Sequence, residues 1–247
     1  MDFDETVRYG TNKNIFFDTS GSSGRGLVEL ARKAARSVER RARLTYRPVF
    51  SEQTLEYPLL YQAIEPGVGR ILDFGCVENI LPMILCNLGY HVTGLDFLPY
   101  PFQHPNFRFI QHDIMSWEPV ANEFDMVISV STMEHVGLGY SGDPLQQQGG
   151  DQIAATKLWQ ALRPGGKLYV TLPAGKPHVQ RGYRTYDEAR IRQLFPNIER
   201  LRFFRKPGRF EPWTEEPDAA RIANLAYSDY DALYPTEAVA IVEGRKL

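Results

Sequence analysis

From Gly69 onward the chain alternates short apolar runs with helical segments, and this alternation constrains the fold more than any other feature. RILDF (70–74), HVTGLDF (91–97), FRFIQ (107–111), FDMVISV (124–130) and KLYVTLP (167–173) read as strands, each short and rich in residues that suit a pleated surface. Residues 78–88 and 151–162 are the expected helices between them, the second ended by Arg163-Pro164-Gly165-Gly166. A helix near 186–194, a strand within 197–206 and a last strand at 238–242 complete the pattern. Such alternation requires an α/β, doubly wound, mostly parallel sheet, here of seven strands, covered on both faces.

Residues 1–66 precede this pattern as an extension, polar and glycine/serine-rich up to Gly26 and then helical, with Leu27, Val28, Leu30, Ala31, Ala34, Ala35 and Val38 on one face. The other face is basic, with eight Arg and Lys against two Glu between Ser22 and Arg47, a local charge of +6. Such a face can meet anionic lipid head groups, a pyrophosphate-linked glycan or an acidic partner; the plainer reading is a solvated helix docked by its apolar side. Residues 67–247 form the main domain. Within it, the aromatic- and proline-rich insertion 207–235, carrying Phe210, Trp213, Tyr227, Tyr230 and Tyr234, is placed to cover a substrate mouth.

The net charge of −2 over 247 residues makes no global case for a nucleic-acid binder. Two cysteines, Cys76 and Cys86, exclude a disulfide scaffold and suit a reducing cytoplasm. MDFDETVRYG lacks the basic-then-apolar pattern of a signal peptide, and the longest apolar stretch, 80–88, is too short to span a bilayer. The expectation is a soluble, cytoplasmic protein, at most peripheral to a membrane, with oligomeric state open.

ILDFGCVEN (71–79) is a strand-to-helix loop of the kind that binds ligands beyond the carboxyl ends of parallel strands. Gly75 permits close backbone approach, and Glu78 is expected to open the following helix at its positive end. A dinucleotide loop needs further glycines where Val77, Glu78 and Asn79 stand, and a carboxylate there repels pyrophosphate. The Walker pattern and the Tyr-x-x-x-Lys pair of short-chain dehydrogenases are absent as well, which weighs against a nicotinamide-dependent sugar oxidoreductase. A cationic or zwitterionic cofactor without phosphates suits the loop better. Asp96 ends the second strand 21 residues beyond Gly75, where a carboxylate can accept both ribose hydroxyls. Phe97 can pack on a base, and Asp113 and Ile114 after the third strand offer a polar acceptor and an apolar wall.

Taken in order, LDFGC (72–76), GLDF (94–97), HDI (112–114), FDMVISVSTMEH (124–135) and LRPGGKLYVTLP (162–173) resemble the class I S-adenosylmethionine-dependent methyltransferases over roughly 59–173. The resemblance implies a Rossmann-like fold and S-adenosylmethionine as cofactor. It implies contacts from Asp73, Gly75, Cys76, Asp96, Phe97, Asp113, Ile114 and Ser129, with Asp73 bracing the loop and Cys76 equally a small buried packing residue. The family's usual GxGxG reads Gly75, Val77, Asn79 here. More narrowly, STMEHVGLGYSGDP (131–144) and TLEYPLLYQAI (54–64) look like segments of bacterial methyltransferase-like proteins encoded with cell-surface polysaccharide genes. That likeness implies O-methylation of a sugar, glycan precursor or other small molecule; the alternative is a protein that binds the cofactor or its spent form without methyl transfer.

Methyl transfer from a sulfonium needs an aligned acceptor and, for a hydroxyl, a proton acceptor. His135, just past the fourth strand, is the candidate base, with Glu134 to orient it or bind the acceptor; the alternative is that both brace the following loop. Tyr140, Asp143 and Trp213 are candidate substrate contacts, against turn and packing roles. The five histidines show no metal-ligand spacing, so no metal is expected, and the absence of zinc-module, RNA-binding and NPPY or DPPY motifs argues against a nucleic-acid substrate.

Overall fold

The computed structural model describes residues 7–9, 13–15, 51–77, 79–139, 148–180, 182–208, 211–225 and 238–247. In chain order they form β1 (Val7–Tyr9), β2 (Lys13–Ile15), α1 (Gln53–Ala63), β3 (Arg70–Phe74), α2 (Leu81–Asn87), β4 (His91–Asp96), β5 (Phe107–Gln111), β6 (Phe124–Val130) and a 3₁₀ turn (Met133–His135). There follow α3 (Gly150–Ala161), β7 (Leu162–Pro173), β8 (His178–Gln180), β9 (Tyr183–Thr185), α4 (Glu188–Leu194), β10 (Ile198–Arg205), β11 (Thr214–Glu215), α5 (Ala219–Ala223) and β12 (Ala238–Arg245). β1 and β2 pair antiparallel within a small unit, Met1–Phe50 with Arg209–Pro212; the other elements belong to a larger unit, Ser51–Gly208 with Trp213–Leu247. The basic helical pattern of 27–47 lies outside the described residues, as do Glu78, Tyr140, Asp143, Phe210, Tyr227, Tyr230 and Tyr234.

The main sheet runs β11-β10-β12-β7-β6-β3-β4-β5. β5, β4, β3, β6 and β7 are mutually parallel, whereas β12 inserts antiparallel between β7 and β10. The chain winds outward from β3 first through β4 and β5, then back across to β6 and β7, so the strand order reverses between β3 and β6. Loops diverge at such a reversal and leave a crevice at the carboxyl ends of the strands.

Strands buried on both faces must send alternate side chains into two separate cores. Leu72, Val127, Leu168, Val170 and Ala240 face one cluster, closed by Ala154 and Leu158 of α3 and Ile191 of α4. Their chain neighbours Ile71, Met126, Ile128, Tyr169 and Ile241 face the other, closed by Tyr57 and Leu60 of α1 and by Leu81 and Leu85 of α2. α1 is thereby part of the same body as the sheet.

Four details depart from the sequence expectation. The helix expected from Glu78 starts at Leu81, because Pro82 suits the first turn and the Asn79 side chain already accepts the Leu81 N–H at 2.9 Å. The strand expected from Lys167 starts at Leu162, and Arg163–Gly166 form an irregularity against β6 instead of a turn outside the sheet. Gly166 permits this, since a Cβ there would lie 2.8 Å from the Arg163 carbonyl oxygen. The sheet has eight strands where seven were expected, the extra one being the two-residue edge strand β11. A separate hairpin, β8 with β9, has no counterpart in the apolar pattern because its residues carry no alternating hydrophobic face.

Leu60 is fully buried between α1 and the sheet. Leu60→Ala is expected to cost about 2–5 kcal/mol in thermal or denaturant unfolding, as a large-to-small change in a closed core.

Candidate functional site

The loops leaving β3, β4, β5 and β6 enclose a cavity of about 240 Å³ under the first turn of α1. Gly75 lines it after β3, Asp96, Phe97 and Leu98 after β4, and His112, Asp113 and Ile114 after β5. Ser131, Thr132, His135 and Val136 line it after β6, and Glu52, Gln53, Glu56 and Tyr57 come from α1 and the residue before it. Among these lining residues four are carboxylic acids and none is Lys or Arg.

The glycine loop is built by mutual hydrogen bonds. Gly75 sits at φ +79° and donates to the Leu95 carbonyl at 2.9 Å. Its own carbonyl accepts from the Asn79 amide at 3.1 Å, and Val77 N–H donates to Asp96 Oδ2 at 3.1 Å. The other Asp96 oxygen accepts from Leu98 N–H at 3.0 Å. Burial raises the Asp96 pKa, opposed by these backbone donors. Each carboxylate oxygen retains acceptor capacity beyond one bond. Asp113 uses Oδ1 on Met115 N–H at 2.8 Å, while buried Oδ2 receives no hydrogen bond.

Three residues expected at the cofactor lie beneath the cavity instead of lining it. Asp73 is fully buried with neither oxygen hydrogen-bonded, and burial, then the nearby Asp96 charge, pushes its pKa up to about 7. Cys76 is buried and its thiol pKa is raised by burial. It packs into the space that Gly94 leaves free, where a Cβ would sit 2.7 Å from Sγ. Ser129 on β6 pairs with Phe74 of β3, buried, with an unpartnered hydroxyl. Trp213 is not brought to the cavity either: its indole N–H donates to the Ser51 carbonyl at 3.1 Å and the Lys206 ammonium sits 4.8 Å from its ring centre. No other residue of 213–225 lines the cavity.

The β6 end is set by Ser131, His135 and the β8–β9 hairpin. His135 Nδ1 lies 2.9 Å from the Gly182 carbonyl; since a carbonyl only accepts, Nδ1 carries the proton and Nε2 is the acceptor nitrogen. Burial lowers the His135 pKa, and Arg184 adds to this. Glu134, 3.9 Å from Nε2, has its pKa raised well above normal by burial and then by the charges of Glu56 and Glu52. The separation would admit an ion pair, but both shifts favour the uncharged forms and so oppose one.

Glu56, Ser131 and Thr171 form a second polar group there that the sequence pattern did not single out. Ser131 adopts φ +44°, strained for a non-glycine residue, and donates through its N–H to Thr171 Oγ1 at 2.9 Å. Its hydroxyl donates to Glu56 Oε1 at 2.7 Å. The available signal was a lone carboxylate amid apolar residues of TLEYPLLYQAI, at a position facing the sheet.

Residues 105–212 match the model of a family described as "Caenorhabditis protein of unknown function, DUF268". A ubiquinone biosynthesis O-methyltransferase of Nitrosococcus oceani is 25% identical over 174 residues, 66% of this chain and 68% of that protein. Among solved structures, a SAM-dependent methyltransferase of Methanosarcina mazei matches with a TM-score of 0.52 at 14% identity, over 77% of this chain and 98% of the other. The chain has a methyltransferase fold. Phosphoethanolamine N-methyltransferase 2 of Haemonchus contortus, solved with S-adenosyl-L-methionine, has the same TM-score, 0.52, at 15% identity, with 78% of this chain covered and 52% of that one. Among the described residues no group of His, Cys, Asp or Glu is placed to hold a metal ion, and no helix is long and apolar enough to cross a membrane.

A Cβ on Gly75 would fall 2.2 Å from the Thr132 side chain, at a φ that disfavours any other residue. Gly75→Ala is therefore expected to lower thermal stability and to distort the loop, read as a loss of Val77 amide protection in hydrogen exchange. A second expectation concerns pH. Buried Asp73 and Glu56 bind protons more tightly folded (pKa about 7 for each) than unfolded (3.8 and 4.5). The native state then holds more protons than the unfolded state between about pH 4 and 7, so their contribution to stability falls as pH rises through that window and is flat above it. Melting temperature measured from pH 5 to 8 is expected to decline, with a shallower decline in Asp73→Asn.

Proposed function

We propose that the protein is an S-adenosylmethionine-dependent methyltransferase that methylates a hydroxyl of a small molecule, in the narrower reading a sugar or glycan precursor. The observation that carries the reading is the cavity at the strand-order reversal, whose described lining residues include four carboxylic acids and no Lys or Arg, with the Asp96 carboxylate joined to the Gly75 loop. A lining with carboxylates and no Lys or Arg disfavours a pyrophosphate and suits a cofactor that carries positive charge on sulfur. On this reading Asp96 accepts ribose hydroxyls, and the Asp113 oxygen without a hydrogen bond accepts an exocyclic amine; both residues line the cavity. The cofactor, when bound, supplies the methyl group.

The chain's own residues then have two tasks. The loops after β3, β4 and β5 hold the nucleoside against Phe97, Leu98 and Ile114, which keep water from its faces. His135, fixed by the Gly182 carbonyl and held neutral by burial, accepts the acceptor's hydroxyl proton at Nε2. Support for a hydroxyl comes from this tautomer and from the O-methyltransferase among the relatives. Support for a sugar rests on the sequence likeness of 131–144 and 54–64 alone.

Calorimetry with S-adenosylmethionine and S-adenosylhomocysteine, followed by a labelled-methyl assay over sugars and glycan precursors, tests the reading. Asp96→Ala is expected to weaken both ligands about 10- to 100-fold, the loss of hydrogen bonds to a charged group. His135→Ala is expected to lower kcat about 10²- to 10⁴-fold with cofactor affinity retained. Unchanged cofactor affinity in Asp96→Ala would reject the placement, and binding without any labelled product would leave a cofactor-binding protein.

A further inference from the structure

The proposed function accounts for Asp96, Asp113 and His135 but leaves two carboxylates in the same cavity without a task, Glu52 and Glu56. Glu56 is wholly buried, yet it lines the cavity. Ser131 occupies Oε1 and the Thr171 side chain also acts on the carboxyl group, while Oε2 has no partner at hydrogen-bond geometry. Leaving a buried polar oxygen unpaired is costly unless a ligand completes it. The backbone of Glu56 is pinned as well, its carbonyl accepting the Tyr169 hydroxyl at 2.9 Å, so the carboxyl group is held at this place by β7.

The position of Glu56 in the sheet tells which ligand group it can meet. Asp113 and Asp96 follow β5 and β4, on one side of β3, whereas Ser131 follows β6 and Tyr169 lies on β7, on the other. Glu56 bonds both of the latter, and it shares its end of the cavity with His135. That is the end where, on the proposed function, the methyl acceptor lies. The electrostatics point to the sign of the missing partner. Glu52 and Glu56 carry like charge when ionised, none of the described lining residues is Lys or Arg, and among the described residues the carboxylates do not converge as metal ligands would. An ammonium is positive and donates hydrogen bonds to separated oxygens, and so meets both requirements.

We propose that the methyl acceptor carries a protonated amine, received by Glu56 with Glu52, beside the hydroxyl that faces His135. The substrate class is thus an amino sugar or a similar amino alcohol, in place of a neutral sugar. This rests on the proposed methyltransferase reading and narrows its acceptor. The ammonium of the cofactor's methionine is the other source of the same chemistry, and the experiment separates the two.

The full chain is saturated with S-adenosylhomocysteine and titrated calorimetrically with glucosamine, N-acetylglucosamine and glucose. Glucosamine is expected to bind at least about tenfold more tightly than either neutral sugar. Glu56→Gln, near in shape and already hydrogen-bonding through Ser131, is expected to erase that preference while S-adenosylhomocysteine affinity stays within about twofold. Should Glu56→Gln fail to fold by circular dichroism, Glu52→Gln serves instead, with a reduced preference as the expected result. Equal affinity for the three sugars, or no binding of glucosamine, overturns the inference while leaving cofactor binding intact. A fall in S-adenosylhomocysteine affinity in Glu56→Gln assigns the ammonium to the cofactor and overturns it too. Failure of the unaltered protein to bind S-adenosylhomocysteine sinks the methyltransferase reading itself and this inference with it.

Discussion

The hydrogen bond from Val77 N–H to the Asp96 carboxylate is the contact on which the site depends. It fastens the loop after β3 to the end of β4, and the Gly75 N–H bond to the Leu95 carbonyl repeats the fastening one step earlier. Without that pair the loop would be held mainly by Asn79, which closes it from the helix side. Among the described residues of the loop, Gly75 is where the backbone turns at positive φ. The two further glycines of a dinucleotide loop serve close approach to a pyrophosphate, and none of the described lining residues here is Lys or Arg to receive one.

The same economy governs the electrostatics. Desolvation raises the pKa of Asp73, Glu56, Asp96 and Glu134 together, so the body of the protein carries a group of acids that resist ionisation where they stand. Such a group weakens folding at neutral pH, and a cation bound beside it favours the ionised form, the usual opposition between stability and function at a binding site. The strained Ser131 belongs to the same account: its φ of +44° brings the N–H to Thr171 and the hydroxyl to Glu56 at once.

The framework was legible in the sequence because periodicity is local. Strands such as ILDF and DMVISV are apolar at successive positions, which marks burial on both faces, and the order of strands and helices then admits few sheets. Asp96 was legible for the same reason, since a strand end is a local feature. Helix and strand ends were less so: Leu81 starts its helix beside the Asn79 side chain, a local contact that residue types alone do not announce, and the β7 start at Leu162 goes with Asp125 and Lys246 packed around Gly166, contacts that no window of sequence contains. The β8–β9 hairpin escaped because three-residue strands leave no hydrophobic signature, although its Gly182 carbonyl decides the tautomer of His135.

The residues hardest to read are those whose role comes from distance in the chain. Glu56 meets Ser131 across 75 residues and Tyr169 across 113. In sequence its one signal is that it is a lone acid in an apolar helix, which does not name its partners. Asp73 misled in the opposite direction: its motif position suggested a ligand contact, but strand alternation turns it into the interior, between Gly94 and Ile128, and away from the cavity lining. The motif LDFGC spans a strand end and the loop after it, so residues placed by the pleat and residues placed by the loop share one pattern: Phe74 lines the cavity, whereas Cys76, beyond Gly75, is buried away from it.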